Sequence, residues 1–198
     1  ILDLSKIEAG KLDLEPHPFE LLSLVRSAQD MVGGSALEKK LQIIEKIGPD
    51  LPIWVIADSA KIRQILVNLL SNAVKFTTQG HVQLEMQGEK QKDGRWKLSF
   101  VVRDTGIGIP RDRHSSLFSP FQQGDNSINR RFGGTGLGLA ITKSLVEKMG
   151  GTIGLDSLEG KGTHVFFHIL VQEKTGLALA SEPQSLDLKS TRLNSSHR

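Results

Sequence analysis

The stretch "QILVNLLSNAVKFT", Gln64–Thr77, carries two patterns at once. Ile62, Ile65, Leu66, Leu69 and Ala73 recur every three or four residues, so a helix over about Ser59–Phe76 turns one apolar face inward. Asn68, Asn72 and Lys75 fall beside that face, within roughly 60° of one another at about 100° per residue. Asn is a poor helix former, so two of them in mid-helix ask for a reason. A neutral carboxamide oxygen suits Mg²⁺, which prefers oxygen ligands and shares phosphate oxygens. Lysine supplies a point charge for phosphate. Taken alone, the pattern fits a solvated helix face as well as a phosphate-facing one.

Outward from this helix, the elements alternate. Upstream, "PHPFELLSLVRSAQDMV" predicts a helix from about Glu20 to Val32, behind Pro16 and Pro18 as breakers. "LQIIEKI" and "PIWVIA" read as short strands. Downstream, "HVQLEMQGE" and "WKLSFVVRD" alternate like two strands joined by a polar turn at Asp93-Gly94. Positions 111–134 are irregular and polar. A helix is predicted over Gly136–Met149, stopped by Gly150-Gly151, and strands follow near Thr152–Asp156 and His164–Val171. Strands in one layer and three helices in the other give a two-layer α/β sandwich.

The ends read differently. "ILDLSKIEAGKLDLE" looks like the end of a longer helix and begins in mid-element, as a piece of a longer protein would. After Val171 the periodicity dissolves into Ser, Thr and Asn, which reads as a disordered linker. Its last part, "DLKSTRLNSSHR", resembles translated sequencing-adapter sequence. The expected organisation is therefore a helix remnant over 1–15, a folded domain over 16–172 and a tail over 173–198.

Composition narrows the function. At 38% hydrophobic, the 198 residues can build a real core, and no apolar run approaches the roughly 18 residues of a membrane span. The absence of cysteine excludes disulfides and thiolate metal sites. A net charge of +3 with dispersed basic residues argues against nucleic acid as a partner.

Three further stretches carry chemistry. In "DTGIGIP", Asp104–Pro110, a strand runs into a carboxylate and then Gly106 and Gly108, which let a ligand approach the backbone; the same pattern also suits an ordinary turn. In "RRFGGTGLGLAI", Arg130–Ile141, glycines stop where a helix starts, a recurring anion site. It is neither a Walker loop nor G-x-G-x-x-G. "GKGT", Gly160–Thr163, joins the last two strands and alone reads as a turn.

Taken together and in this order, Asn-x₃-Asn-x₂-Lys, Asp-x-Gly-x-Gly, Phe-x₂-Phe, Gly-x-Gly-x-Gly and Gly-x-Gly-Thr resemble the ATP-binding catalytic domain of sensor histidine kinases. The detail of "LFSPFQQGDNSINRRFGGTGLGLAI" is most similar to hybrid sensor kinases. The resemblance covers nearly all of residues 1–171 and implies the GHKL, or Bergerat, sandwich: a mixed sheet, three main helices, ATP between the helices and a mobile lid. It makes Asn72 the Mg²⁺ ligand and Lys75 a phosphate contact. Asn68 stands in the catalytic centre, Asp104 reads adenine, and Gly106 and Gly108 shape the base pocket. Phe118 and Phe121 match the packing at the lid root. Gly134, Thr135, Gly136, Leu137 and Gly138 match the lid hinge and the phosphate-binding helix start, and Thr163 lies near the adenine. Arg130 or Arg131 reaches the terminal phosphate, and spacing does not choose between them.

The resemblance also implies partners. These are a phosphoacceptor histidine domain of the same parent protein, a response regulator or receiver domain, and a second copy in a homodimer. The domain would sit in the cytoplasm, with the parent anchored in the inner membrane. Hydrolytic relatives of this fold, such as gyrase B subunits, carry Glu at the place of Asn68 to activate water, whereas an amide is no base near neutral pH. None of His17, His81, His114, His164, His168 and His197 is followed by Glu, as the family's phosphoacceptor is. A hydrolytic ATPase and a nucleotide-binding pseudokinase stay as alternatives. His114-Ser115 stands where an apolar residue is usual, which should loosen the short helix there.

Overall fold

A computed structural model describes residues 13–119 and 136–175. Among them are three α-helices, α1 (Leu21–Glu38), α2 (Ser59–Phe76) and α3 (Gly138–Lys148). Seven strands accompany them: β1 (His17–Glu20), β2 (Gln42–Ile47), β3 (Trp54–Ala57), β4 (His81–Lys90), β5 (Trp96–Asp104), β6 (Thr152–Leu158) and β7 (Gly162–Glu173). The sheet runs β1-β3-β7-β5-β4-β2, with β6 laid against the first part of β7. Only β2 and β4 pair in parallel, so the sheet is mixed and open.

Alternation explains the inner face. Val82, Leu84 and Met86 of β4, Leu98, Phe100 and Val102 of β5, and Phe167, Ile169 and Val171 of β7 all point into the core. Phe100 and Phe167 sit opposite one another in register and stack with centroids 4.8 Å apart. Against this face α2 buries Ile62, Ile65, Leu66, Leu69, Leu70, Ala73 and Val74, the stripe its period foretells. None of the described helices is long and apolar enough to cross a membrane.

Two expectations change. Pro18 does not break the chain but lies in β1, which pairs with β3 alone. An edge strand tolerates a residue without an N–H donor. Helix α1 does not stop at Val32 but runs through Gly33 and Gly34 to Glu38. The last turn buries Ala36, one turn past Val32, and the helix persists despite the roughly 1 kcal/mol that each helical glycine costs. The borders at 15 and 172 fall inside connected structure. Leu14 packs on the core and the Glu15 N–H donates to Asp58 Oδ2 at 3.0 Å. At the other end β7 continues to Glu173, and the Lys174 N–H reaches the Trp54 carbonyl at 2.9 Å. The expected helix remnant before Asp13 and the tail beyond Thr175 lie outside the described residues.

Candidate nucleotide site

Helix α2 is pinned at both ends. Asp58 caps its start, accepting the Lys61 N–H at 3.0 Å. At its end, the Lys39 ammonium donates to the carbonyls of Val74, Lys75 and Thr77 at 2.8, 2.9 and 3.3 Å. A cation there satisfies orphaned carbonyls and complements the negative end of the helix dipole. Lys39 was not among the expected residues, since a lysine within "LEKK" gives no local signal.

Between these anchors lie the three polar residues of the opening stretch, all half-buried. The Asn68 amide donates to the hydroxyl of Thr142 at 2.8 Å, and Thr142 is itself buried in α3. Gly138, the first residue of α3, lies directly on the Asn68 carboxamide, and a Cβ there would collide with its oxygen. Among the described residues no side chain caps this helix at Leu137, and the first N–H groups of a helix are those that an anion can take up. Further along, the Lys75 ammonium lies 4.9 Å from the centre of the Phe76 ring, and burial lowers its pKa from the usual lysine value.

The second cluster forms where β5 ends. Asp104 Oδ1 accepts the N–H of Gly106 at 2.8 Å and of Thr163 at 3.3 Å. Burial raises the Asp104 pKa above the ordinary carboxylate range, opposed by those two N–H groups and by the nearby His164. Gly108, at φ +68°, packs so closely on the Leu158 carbonyl that a side chain would have no room. The two clusters meet where the Ile107 N–H donates to the Phe76 carbonyl at 3.3 Å, one residue from Lys75.

A residue that sequence reasoning missed ties this end together. Ser157 Oγ accepts the Ile109 N–H at 2.8 Å, donates to the Gly162 carbonyl at 2.9 Å and lies 2.9 Å from Thr163 Oγ1. It thus joins the "DTGIGIP" loop to the "GKGT" hairpin.

The structure therefore brings Asn68, Asn72 and Lys75 onto one helix, with Gly138 at its middle. It gathers Asp104, Gly106, Gly108 and Thr163 beyond its end. Gly136, at φ +69°, and Leu137 lead into α3. Phe118 is half-buried in a turn, whereas Phe121, Arg130, Arg131, Gly134 and Thr135 lie outside the described residues. The segment that His114 was expected to loosen contains a 3₁₀ turn, Arg111–Arg113, with His114 Nε2 at 3.0 Å from the Ile109 carbonyl. The described residues contain no group of three His, Cys, Asp or Glu able to hold a metal. A cation beside Asn72 would complete its shell with phosphate oxygens and water, which suits Mg²⁺.

Residues 57–173 match the family model described as histidine kinase-, DNA gyrase B- and HSP90-like ATPase. The sensor histidine kinase GacS of Pseudomonas protegens is 41% identical over 85% of this chain, which spans 18% of that protein. The signal transduction histidine-protein kinase BarA of Escherichia coli is 43% identical over 85% of the chain, again 18% of its own length. Among solved structures, full-length ShkA in complex with AMPPNP superposes with a TM-score of 0.73 at 31% identity, covering 87% of this chain and 35% of that one.

Proposed function

The chain belongs to the histidine kinase-, DNA gyrase B- and HSP90-like ATPase family, and we propose that it is the ATP-binding catalytic domain of a sensor histidine kinase. It would pass the γ-phosphate of ATP to a histidine on a dimerisation domain of the same parent protein, for relay to a receiver aspartate. The parent would act as a homodimer anchored in the inner membrane, with this domain in the cytoplasm.

The observation that carries this reading is the fixed carboxamide of Asn68. Its amide donates to Thr142 and its oxygen lies against Gly138. A hydrolytic enzyme needs a group here that can take a proton from water, and an amide does not do so near neutral pH. The nucleotide is held and its terminal phosphate is spared for another acceptor.

The remaining roles are those that the family resemblance implies. Asp104 accepts from the exocyclic amine of adenine, while Gly106, Gly108 and Thr163 shape the pocket around the base. The Asn72 oxygen would hold Mg²⁺, whose charge offsets that of the phosphates. Lys75, half-buried, presents its ammonium where lowered dielectric strengthens the attraction to phosphate. By the same resemblance Gly134, Thr135, Gly136, Leu137 and Gly138 would serve as lid hinge and phosphate-binding helix start, and Arg130 or Arg131 would contact the terminal phosphate. Catalysis of this kind is positioning and charge neutralisation.

The test is phosphotransfer in trans. Mixed with a two-helix phosphoacceptor domain and radiolabelled Mg²⁺-ATP, the chain should label the added histidine with an acid-labile, base-stable bond. Transfer will be slow, because the tether that raises local concentration is absent. Rapid hydrolysis without acceptor would establish the hydrolytic alternative, and nucleotide binding without transfer the pseudokinase.

A further inference from the structure

We infer that Ser157 determines base specificity by setting the polarity of the Thr163 hydroxyl, leaving it an acceptor towards a 6-amino purine. The inference rests on the nucleotide reading above and deepens it.

The argument is a count of protons. A serine hydroxyl has one proton to give and two lone pairs to receive with. Ser157 gives its proton to the Gly162 carbonyl at 2.9 Å. One lone pair receives the Ile109 N–H at 2.8 Å. The contact to Thr163 Oγ1 at 2.9 Å can then form only if Thr163 donates. Thr163 thereby spends its own proton on Ser157, and the lone pairs of its Oγ1 are what remain for a ligand. The neighbouring carboxylate is Asp104, whose Oδ1 already receives the Thr163 N–H at 3.3 Å. Two adjacent side chains of the wall thus face a base with acceptors alone. Such a wall matches an exocyclic amine and repels a carbonyl oxygen at the same ring position.

Ser157 acts through Thr163 and is a positioning residue. Were it only a brace between the loop and the hairpin, its loss would lower stability and weaken all nucleotides alike. Setting the direction of a neighbouring hydroxyl has a different signature. Without Ser157, the Thr163 O–H is free to rotate and to donate to a 6-oxo group.

The experiment is calorimetric titration of the whole chain with Mg²⁺-ATP and Mg²⁺-ITP, well below each variant's melting temperature. The parent should prefer ATP; failure to bind ATP at all would overturn the nucleotide reading and this inference with it. Ser157→Ala should narrow the ATP-to-ITP preference about three- to tenfold, the worth of one hydrogen bond. Ser157→Thr, which keeps the hydroxyl, should restore it. In a Thr163→Val background, Ser157→Ala should have no further effect on the preference, because the group it orients is gone. An unchanged preference in Ser157→Ala, or an equal change in the Thr163→Val background, overturns the inference. If Ser157→Ala does not fold, Thr163→Val alone decides: it must narrow the preference, and an unaltered ratio refutes the role.

Discussion

The Asn68 amide donates to the Thr142 hydroxyl across 2.8 Å, fastening the middle of α2 to the second turn of α3. Gly138 closes the same contact from the other side. A methyl group at Gly138 would displace the carboxamide and the helix start together. Gly138→Ala should leave the helix content intact, since alanine favours helix. It should slow phosphotransfer about 100-fold, as a misplacement near 1 Å does. Circular dichroism and single-turnover labelling measure the two arms.

Asp104→Asn should separate binding from stability. Burial raises the folded pKa of Asp104 above the unfolded value, so the ionised form is the unfavourable one inside the protein. Its effect is absent at pH below the unfolded pKa, grows as pH rises through the interval between the two values, and is complete above the folded pKa. The asparagine keeps an oxygen for the Gly106 and Thr163 N–H groups without the buried charge. The variant should therefore melt higher than the parent at pH 7, and the gap should vanish towards pH 3. Its ATP affinity should fall by about 1.5–3 kcal/mol, one charge-assisted bond. Melting curves across pH and calorimetry check both.

Lys39→Met should lower the unfolding free energy by about 1.5–3 kcal/mol in urea titrations, because three carbonyls at the end of α2 lose their cation. Lys39→Arg, which keeps the charge, should recover part of it. The KM for ATP should rise with Lys39→Met, since Lys75 and the Phe76 carbonyl that receives Ile107 lie in the turn it releases.

Gly34→Ala should raise stability by about 1 kcal/mol. Gly34 is exposed within α1 and nothing lies within 4 Å of where its Cβ would stand. A shift in the urea midpoint with an unchanged slope would register this.

What was legible in the sequence follows a physical divide. Helix α2 could be read because its core stripe is a local pattern, whereas the cap that Asp58 makes at its start was not singled out. Asn72, Asp104 and Thr163 stood out only through the order of five motifs and the family they resemble, since each motif alone also fits a turn or a solvated helix face. Strand β1 was hidden by Pro18, whose tolerance depends on an edge position that only the finished sheet defines. The full length of α1 was hidden by Gly33 and Gly34, which read as a stop although the helix carries on past them to bury Ala36. The bonds made by Asn68 to Thr142, by Lys39 to Val74 and by Ile109 to Ser157 span 74, 35 and 48 residues, so no local window contains both partners.

Strand β7 is the last described strand in the chain, yet it stands inside the sheet, touching β3, β5 and β6. During synthesis Phe100 emerges from the ribosome long before Phe167, the ring it stacks on. Until then β5 presents an unpaired, strongly apolar edge, the kind of surface that recruits chaperones or aggregates. The nascent domain therefore stays unfinished until Glu173 is clear of the exit tunnel. A pause in translation ahead of Gly162 would expose it at its most vulnerable.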